Sequence, residues 1–418
     1  MIIPRNYYLN RLISARNNKL IKIVSGIRRC GKSFLLSVLF KNHLNSEGVD
    51  DNHIIEVALD DRKNIALLNP DALLNYIKNK IIDNNTYYIL LDEIQMVEDF
   101  TGVLNSLLHI NNADVYVTGS NSRFLSKDIV TEFRGRGFEI KMYPLTFAEF
   151  YQARGGDKSD CWRDYYTFGG LPQVITIDDF AQKSNYLEQL AYTVFISDVV
   201  ERNNVKKRPE LEELLRILSS TIGAPCNPSK LSNTFHSVKN EVISPRTINN
   251  YISYLCDAFL INKAIRYDIK GKKYINSLAK YYFTDMGLRN ALLGFRQIEE
   301  THLMENVIYN ELIARGFKVD VGNIEAIIRD KNGNVRRALY EVDFVANRGS
   351  VRYYIQSALA IPGEPKMQQE TASFHRINDS FKKIIIVGSN IMPYHNDDGY
   401  LIIGLYDFLL SPNSLEMI

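Results

Sequence analysis

The sequence predicts an α/β protein that begins with a parallel β-sheet covered by helices on both faces. Three observations indicate this fold class. The first third of the chain alternates short apolar runs with segments of helical spacing, as expected for strands buried between helices. A glycine-containing turn directly follows the first of these runs. The pattern becomes helical from residue 146 and returns to mixed strands and helices from about residue 303.

Short apolar runs that alternate with helical segments favour parallel strands in the first third of the chain. The predicted strands are Lys19–Gly26, His53–Asp61, Tyr87–Glu93, Ala113–Ser120 and Phe138–Leu145. Helices are expected at Lys32–Asn45 and Pro70–Ile82, where apolar residues recur at helical spacing.

The middle of the chain has the pattern of a helical connector followed by a winged helix. Helices are expected at 146–154 and 181–201, then at 210–221, 229–238 and 244–259. A strand pair at 260–267 and 278–285 follows, around a basic turn at 270–272. Beyond it, a helix at 304–316 precedes strand-like runs at 338–346, 351–360, 382–389 and 400–409.

Size and composition restrict the classes of protein that the chain can belong to. Its 418 residues exceed one compact core, so several domains are expected. The net charge of +2 leaves any nucleic-acid contact to a local basic face. Four widely spaced cysteines, no signal peptide and no apolar run of membrane-spanning length predict a cytoplasmic protein with reduced thiols and no membrane span.

A phosphate-binding loop, or P-loop, is predicted between the first strand and the helix that follows it. Residues 26–33 read GIRRCGKS and match the pattern G-x-x-x-x-G-K-[ST]. Gly26 and Gly31 allow backbone amides to face phosphates at a helix N-terminus. Lys32 would neutralise phosphate charge, and the Ser33 hydroxyl would bind Mg²⁺. The predicted nucleotide contacts are Gly26, Ile27, Arg28, Arg29, Cys30, Gly31, Lys32, Ser33 and Phe34.

An acidic pair ends the third predicted strand, as in a Walker B element. Asp92 is the candidate Mg²⁺ ligand, and Glu93 is the candidate general base that polarises the attacking water. Two adjacent carboxylates at the end of a buried strand are costly to desolvate without a cation. The two segments together predict a site for ATP with Mg²⁺.

Two further polar segments are candidates for the same site. Asn121 and Ser120 lie where the fourth predicted strand ends, and a polar side chain there could contact the γ-phosphate or the water; ordinary turn chemistry is the alternative. Arg136, and after it Arg134, is the candidate arginine finger, within one chain or between subunits. A solvated loop arginine is the alternative for either residue, and the oligomeric state stays open.

These segments together resemble the prokaryotic AAA-type ATPases that carry a DUF4143 domain, which are related to archaeal-type P-loop ATPases. The resemblance covers nearly the whole chain. It rests on 4–9, the P-loop, ILLDEIQ, VTGSNS, FRGRGFEIKMYPLTFAEF, YYTFGGLPQV, KYYFTDMGLRNALLG and EVDFV. It implies a P-loop NTPase fold of the ASCE/AAA-like type, a helical and winged-helix region, and a C-terminal α/β domain similar to restriction endonucleases of the PD-(D/E)xK class.

The implied domains are a P-loop ATPase domain at 1–145, a helical lid or connector at 146–208, a winged-helix-like domain at 209–290 and the nuclease-like domain at 291–418. An active nuclease of this class needs an acid, an Asp and an E-x-K strand to hold Mg²⁺. Glu305 and Asp343 can fill the first two roles, but Gln356 and Ala358 stand in place of the Glu and Lys. The nuclease-like domain is therefore expected to be inactive.

The candidate DNA-reading helix lies at 244–255, and double-stranded DNA is the macromolecular partner that a winged helix suggests. Its outward residues are predicted to be Arg246, Asn249, Asn250 and Ser253, with Lys270, Lys272 and Lys273 of the hairpin near phosphates. Tyr251 and Leu255 are expected to face the core. A protein partner is the alternative, because winged helices also bind proteins.

Two classes of function fit the sequence. The first is an enzyme whose ATP hydrolysis moves the winged-helix and nuclease-like domains. The second is a nucleotide-dependent switch that binds ATP with negligible turnover. The intact Glu93 favours the first.

Overall fold

The computed structural model describes residues 2–120, 135–239, 243–329 and 335–417. The chain forms two compact units. The N-terminal unit comprises Met1–Leu145, Leu171–Gln173 and Cys256–Leu260. The C-terminal unit comprises Thr146–Gly170, Val174–Leu255 and Ile261–Ile418. No helix in the described ranges is both long and apolar enough to cross a lipid bilayer.

The N-terminal unit is built on a parallel sheet that has five strands within its described residues, in the order β2-β3-β4-β1-β5. The strands are β1 (Ile21–Gly26), β2 (Ile54–Ala58), β3 (Tyr87–Asp92), β4 (Ala113–Gly119) and β5 (Gly137–Met142). Four of them lie within a predicted strand segment and β5 begins one residue before its own, so the parallel sheet is confirmed. Every residue of β1 is buried, which explains why the strand is a nearly continuous apolar run.

Helices cover this sheet. They are α1 (Asn6–Ser14), α2, α3 (Pro70–Lys80) and α4 (Phe100–Leu107). Helix α2 follows the P-loop and runs through Lys32–Phe34, a π-helical stretch Leu35–Phe40 and Lys41–Ser46. Helix α3 begins where its sequence predicts, because the Asn69 side chain accepts a hydrogen bond from the Ala72 amide and Pro70 occupies the first turn.

The C-terminal unit begins with helices. They are α5 (Phe147–Arg154), α6 (Lys158–Phe168), α7 (Phe180–Gln189, continued through Leu190–Ile196 and Ser197–Arg202), α8 (Arg208–Ser220), α9 (Pro228–Lys239) and α10 (Pro245–Asp257). A one-turn helix at Pro172–Ile175 separates α6 from α7. Later helices are α11 (Met286–Leu292), α12 (Glu300–Ala314) and α13 (Glu364–Thr371).

A mixed sheet forms the other layer of this unit, with eight strands among the residues described, in the order β12-β13-β11-β10-β9-β8-β6-β7. The strands are β6 (Ile261–Asp268), β7 (Lys273–Phe283), β8 (Lys318–Arg329), β9 (Val335–Arg348), β10 (Val351–Ala358), β11 (Lys382–Val387), β12 (Tyr394–His395) and β13 (Leu401–Gly404). Strand β6 pairs in parallel with β8. The hairpin assigned to the winged helix and the strands assigned to the nuclease-like domain therefore share one sheet, and the division into four domains stays a prediction.

Two segments of the C-terminal unit differ from their predicted structure. Residues 400–409 were expected to form one strand, but β13 ends at Gly404 and helix α14 (Leu405–Leu410) follows. The apolar run continues across the boundary because strand and helix are both buried, so periodicity alone could not separate them. Strand β8 was not predicted, since Gly322 and Asn323 interrupt its pattern. A Cβ atom at Gly322 would lie 2.8 Å from the Cβ atom of Val342, so the close packing of β8 on β9 requires glycine there.

Two motifs from distant parts of the sequence meet within this unit. The Asp285 carboxylate accepts hydrogen bonds from the Gly170 amide at 2.8 Å and from the Leu288 amide at 3.0 Å. The Asn290 side chain donates to the carbonyl oxygens of Tyr166 and Thr167. These buried bonds explain why the segments YYTFGG and FTDMGLRN carry small and polar residues in an otherwise apolar setting.

Candidate functional site

Three strand ends bring the predicted site residues to one edge of the N-terminal sheet. β1 ends at Gly26, β3 at Asp92 and β4 at Gly119. Because the strands are parallel, these carboxyl ends share an edge, and β4 lies between the other two. Ligands of open α/β sheets bind outside the carboxyl ends of the strands.

The P-loop backbone needs glycine at two positions for two different reasons. Gly26 has a φ of +147°, and a Cβ atom there would lie 2.1 Å from the carbonyl oxygen of Met142 on β5. Gly31 has a φ of +100°, and a Cβ atom there would meet its neighbours only at ordinary van der Waals distance, so the backbone conformation rather than crowding favours glycine. Gly31 directly precedes α2, so the loop presents amides at the start of a helix.

Lys32 places a positive charge inside the curled loop. Its side chain is buried, and its ammonium donates to the carbonyl oxygens of Gly26 and Ile27, each at 3.0 Å. Phosphate oxygens are stronger acceptors for an ammonium than neutral carbonyls, because the bond is charge-assisted on both sides.

The other loop residues differ in their exposure. Cys30 is buried, and its Sγ atom lies 3.7 Å from the Met142 carbonyl oxygen. Arg28 is half-buried, whereas Arg29 and Phe34 are exposed. Arg29 has a φ of +62°, which is uncommon for a residue with a side chain. The loop conformation therefore includes some backbone strain.

The predicted Mg²⁺ ligands, Ser33 and Asp92, line the same cavity. Burial raises the pKa of Asp92, the hydroxyl groups of Thr118 and Ser33 oppose the shift, and the nearby carboxylates of Glu93 and Asp60 add to it. A hydroxyl and a carboxylate that line one cavity are the oxygen donors that Mg²⁺ prefers. These two residues therefore fit a magnesium ion, whose charge would stabilise the ionised form of Asp92.

A cavity of about 210 Å³ opens beside this pair of side chains. Its lining combines the polar groups of Ser33, Ser37, Glu56 and Asp92 with Leu36, Ala58 and Leu90. Lys32 does not line this cavity, and its ammonium binds the carbonyl oxygens of the loop. The described residues thus provide space next to the candidate metal ligands.

Glu93 is held in an unusual conformation at the end of β3. Its φ of +53° and ψ of +49° lie in the left-handed region. This conformation costs energy for a residue with a side chain, and residues that adopt it are concentrated at functional sites. Its carboxylate accepts hydrogen bonds from the Ser120 hydroxyl at 3.2 Å and from the Gln95 amide. The candidate base and the candidate polar residue Ser120 are therefore in direct contact.

Thr118 and Gln95 are site residues that sequence reasoning missed. The Thr118 hydroxyl accepts from the Glu93 amide at 2.8 Å and donates to the Asp92 carboxylate, so it connects both acids. Gln95 Oε1 is buried and has no hydrogen-bond partner among the described residues. Thr118 is the second-last residue of β4, and its hydroxyl was the signal in the sequence. Ser120 and Asn121 were predicted instead because they lie at the end of the strand.

The remaining candidates of the ATP site lie elsewhere. Asn121 and Arg134 fall outside the described residues. Arg136 is exposed and precedes β5, whose first residue pairs with Ile21 at the start of β1. The six residues of β1 span about 20 Å, so Arg136 lies at the sheet edge opposite the P-loop. It does not reach the site of its own chain, and an arginine finger between subunits stays a prediction.

The candidate residues of the nuclease-like domain come together in the C-terminal unit. The Asp343 amide donates to Gln356 Oε1 at 2.7 Å, and the Ser357 amide donates to Asp343 Oδ2 at 2.8 Å. The charge of Glu305 on α12 acts on Asp343. Ala358 is buried on β10 and has no polar group to offer.

Helix α10 presents the side chains that were expected to face outward. Arg246, Asn249, Asn250 and Ser253 are exposed, and so are Lys270, Lys272 and Lys273 of the β6–β7 turn. Tyr251 and Leu255 are buried, as expected. The helix therefore has one apolar face packed in the unit and one polar face open to solvent.

Comparison with known proteins agrees with this geometry. Residues 18–151 match the family model described as an AAA domain. The Walker-type ATPase of Pyrococcus abyssi has a similar fold, with a TM-score of 0.50 and 15% identity over 70% of this chain and 96% of that one. The P-loop NTPase fold of the N-terminal unit is therefore confirmed.

The second family match corrects one expectation. Residues 159–299 match a domain of unknown function, DUF8612. The resemblance implied a DUF4143 domain, and this match replaces that assignment. It begins near the start of α6 and ends just before α12, so it includes the helical region and the β6–β7 hairpin.

Two relatives match most of the chain. An uncharacterized protein of Methanocaldococcus jannaschii is 28% identical over 396 residues, which cover 91% of this chain and 83% of the relative. An uncharacterized protein of Haemophilus influenzae is 32% identical over 418 residues, which cover 98% of this chain and 99% of the relative. The chain belongs to the same family as the Haemophilus influenzae protein, and it carries an AAA domain with the P-loop NTPase fold.

Proposed function

We propose that this protein hydrolyses ATP with Mg²⁺ at the P-loop edge of the N-terminal sheet. The observation that carries the proposal is one cavity that is lined both by Ser33 of the P-loop and by Asp92 of β3, with Glu93 next to Asp92 in the chain. The predicted phosphate-binding loop and the predicted metal-binding acid thus border the same space. Phosphoryl transfer relies mainly on positioning and electrostatic stabilisation, which such an arrangement supplies.

Each side chain has a distinct role in the proposed reaction. Amides of residues 26–33 and the Lys32 ammonium bind the phosphates, and Ser33 and Asp92 hold Mg²⁺, which neutralises charge on the β- and γ-phosphates when bound. Glu93 accepts a proton from the attacking water. Thr118 orients Asp92 and secures the Glu93 backbone, while Ser120 and Gln95 set the direction of the Glu93 carboxylate.

The first test is release of inorganic phosphate from ATP, with Mg²⁺ and with EDTA. Release that requires Mg²⁺ supports the proposal. Absence of release with Mg²⁺ while ATP still binds would instead support a nucleotide-dependent switch.

The Thr118→Val variant is expected to lower the rate of phosphate release by about 10- to 100-fold. It removes a hydroxyl that serves both acids, and hydrogen bonds to charged groups contribute about 1.5–3 kcal/mol. Thr118→Ser is the matched control, because it keeps the hydroxyl and should retain most activity. Equal rates for the valine and serine variants would show that the hydroxyl has no role in hydrolysis.

We further propose that double-stranded DNA binds the polar face of α10 and stimulates hydrolysis. Three exposed lysines at 270, 272 and 273 lie on the hairpin that follows this helix, as phosphate contacts require. We expect stimulation of phosphate release by DNA that weakens steeply as salt rises, because phosphate contacts release counterions. A cytoplasmic location fits this role and the absence of disulfides among Cys30, Cys161, Cys226 and Cys256, all of which are described.

The DNA proposal is tested with a variant in which Arg246, Asn249 and Asn250 are all alanine. Basal phosphate release should be unchanged and the stimulation lost. Lys230→Ala, an exposed lysine on α9, is the control and should leave both unchanged. Stimulation that persists in the triple variant would place the DNA contact elsewhere, and no stimulation of the wild type would favour a protein partner.

A further inference from the structure

A buried ammonium lies among carboxyl groups in the C-terminal unit. Lys280 on β7 is 4% exposed. Its Nζ atom lies 2.7 Å from Oε1 of Glu341 on β9 and 3.2 Å from Oε1 of Glu305 on α12. Asp343 belongs to the same group, because the charges of Glu305, Lys280 and Glu341 all act on its carboxyl group. We call Lys280, Glu305, Glu341 and Asp343 the acid cluster.

Donors from the protein already bind the carboxylate oxygens of the acid cluster. Besides Lys280, the Tyr282 hydroxyl donates to Glu305 Oε1 at 2.7 Å. The Ser357 amide donates to Asp343 Oδ2 at 2.8 Å. Among the described residues, no group of three acidic, histidine or cysteine side chains has an arrangement that holds a metal ion. The cluster is thus arranged around an ammonium rather than around an empty metal position.

Two cations lie next to the three carboxyl groups of the acid cluster. Three carboxyl groups surround one ammonium, and a second cation, Arg266, lies 4.0 Å from Glu341 Oε2. Burial raises the pKa of Asp343 to about 8, the charge of Glu305 adds to the shift, and Lys280 opposes it. Burial of a carboxylate is costly unless a cation is paired with it, and in the acid cluster Lys280 provides that cation for Glu341 and Glu305.

We propose that the Lys280 ammonium takes the place of a divalent cation in the acid cluster, and that removal of this ammonium creates a binding site for Mn²⁺ or Mg²⁺ at Glu305, Glu341 and Asp343. The lysine comes from β7, far in sequence from Gln356 and Ala358, where an E-x-K strand would carry its own lysine. In the native chain the ammonium repels a divalent cation from the same oxygens. This inference does not depend on ATP hydrolysis at the P-loop.

The proposal predicts opposite responses of two variants to Mn²⁺ in the absence of nucleotide. Lys280→Met should lower the melting temperature in EDTA, because three buried carboxyl groups lose their cation. Mn²⁺ should then raise it saturably. The double variant Lys280→Met/Glu305→Gln should show no such rise, because one ligand is lost. Lys272→Met, on the exposed turn of the same hairpin, should respond to Mn²⁺ like the wild type.

Titration calorimetry of the native chain with Mn²⁺ tests the other half of the proposal. We expect the Asp343→Ala change to have no effect on the heat of Mn²⁺ binding, because the cluster binds no metal in the native chain. Binding that Asp343→Ala abolishes, or DNA cleavage that requires Mn²⁺ and Asp343, would overturn the proposal. If Lys280→Met does not fold, Lys280→Gln replaces it. A folded Lys280 variant that gains no Mn²⁺ binding would also contradict it.

Discussion

The Lys32→Ala variant is expected to bind ATP about 100-fold more weakly than the wild type. Hydrogen bonds to charged groups contribute about 1.5–3 kcal/mol each, and 1.4 kcal/mol corresponds to a tenfold change in affinity. Lys32 is buried within the loop, so a surface lysine cannot take over its position. The loss should concern affinity more than folding, although the Gly26 and Ile27 carbonyl oxygens also lose a donor.

Titration calorimetry with ATP and Mg²⁺ measures this effect directly, and a melting curve confirms that the variant is folded. Lys80→Ala is the control, because Lys80 is exposed at the end of α3 and does not line the cavity beside the candidate metal ligands. Its affinity for ATP should remain within about twofold of the wild type. Wild-type affinity in a folded Lys32→Ala variant would contradict the P-loop assignment.

The Glu93→Gln variant is expected to retain ATP binding and to release phosphate about 10²- to 10⁴-fold more slowly. General base catalysis contributes a factor of this size. The amide keeps the shape of the carboxylate but accepts no proton. Because Glu93 bonds to Ser120 and Gln95 rather than to Lys32, its replacement should leave the phosphate-binding loop intact.

Phosphate release and ATP affinity should be measured on the same preparations of wild type and Glu93→Gln. A low rate with unchanged affinity supports Glu93 as the base. Glu98→Gln, a nearby exposed acid, serves as the control and should release phosphate at the wild-type rate. Equal and near-zero rates for wild type and Glu93→Gln, with tight ATP binding, would identify a nucleotide-dependent switch instead.

Most of the site residues that could be predicted lie in short contiguous segments of the sequence. The P-loop is eight consecutive residues, and Asp92 and Glu93 end one strand, so their functions follow from spacing and from the strand before them. The same holds for α10, where helical periodicity alone separates exposed Asn249 from buried Tyr251. These predictions succeed because each one depends only on residues that are close together in the sequence.

Residues that act across strands could not be predicted in this way. Thr118 reaches Asp92 and Glu93 only because β4 is the neighbour of β3. Arg136 was a plausible partner of the phosphates until the pairing of β5 with β1 placed it at the opposite edge. Lys280 looked like one of several lysines in a hairpin, and its environment depends on strands and a helix that follow it in sequence.

By itself, the sequence determined the parallel sheet, the glycine positions of the P-loop and the acids that end β3. Strands buried on both faces are continuous apolar runs, and a positive φ favours glycine, so both features can be recognised from neighbouring residues. Only the tertiary structure decided the order of the strands, the cavity shared by Ser33 and Asp92, the bridge made by Thr118 and the ammonium in the acid cluster. These contacts join residues that are far apart in the chain. Their geometry depends on how the strands pair, which residue periodicity along one strand does not specify.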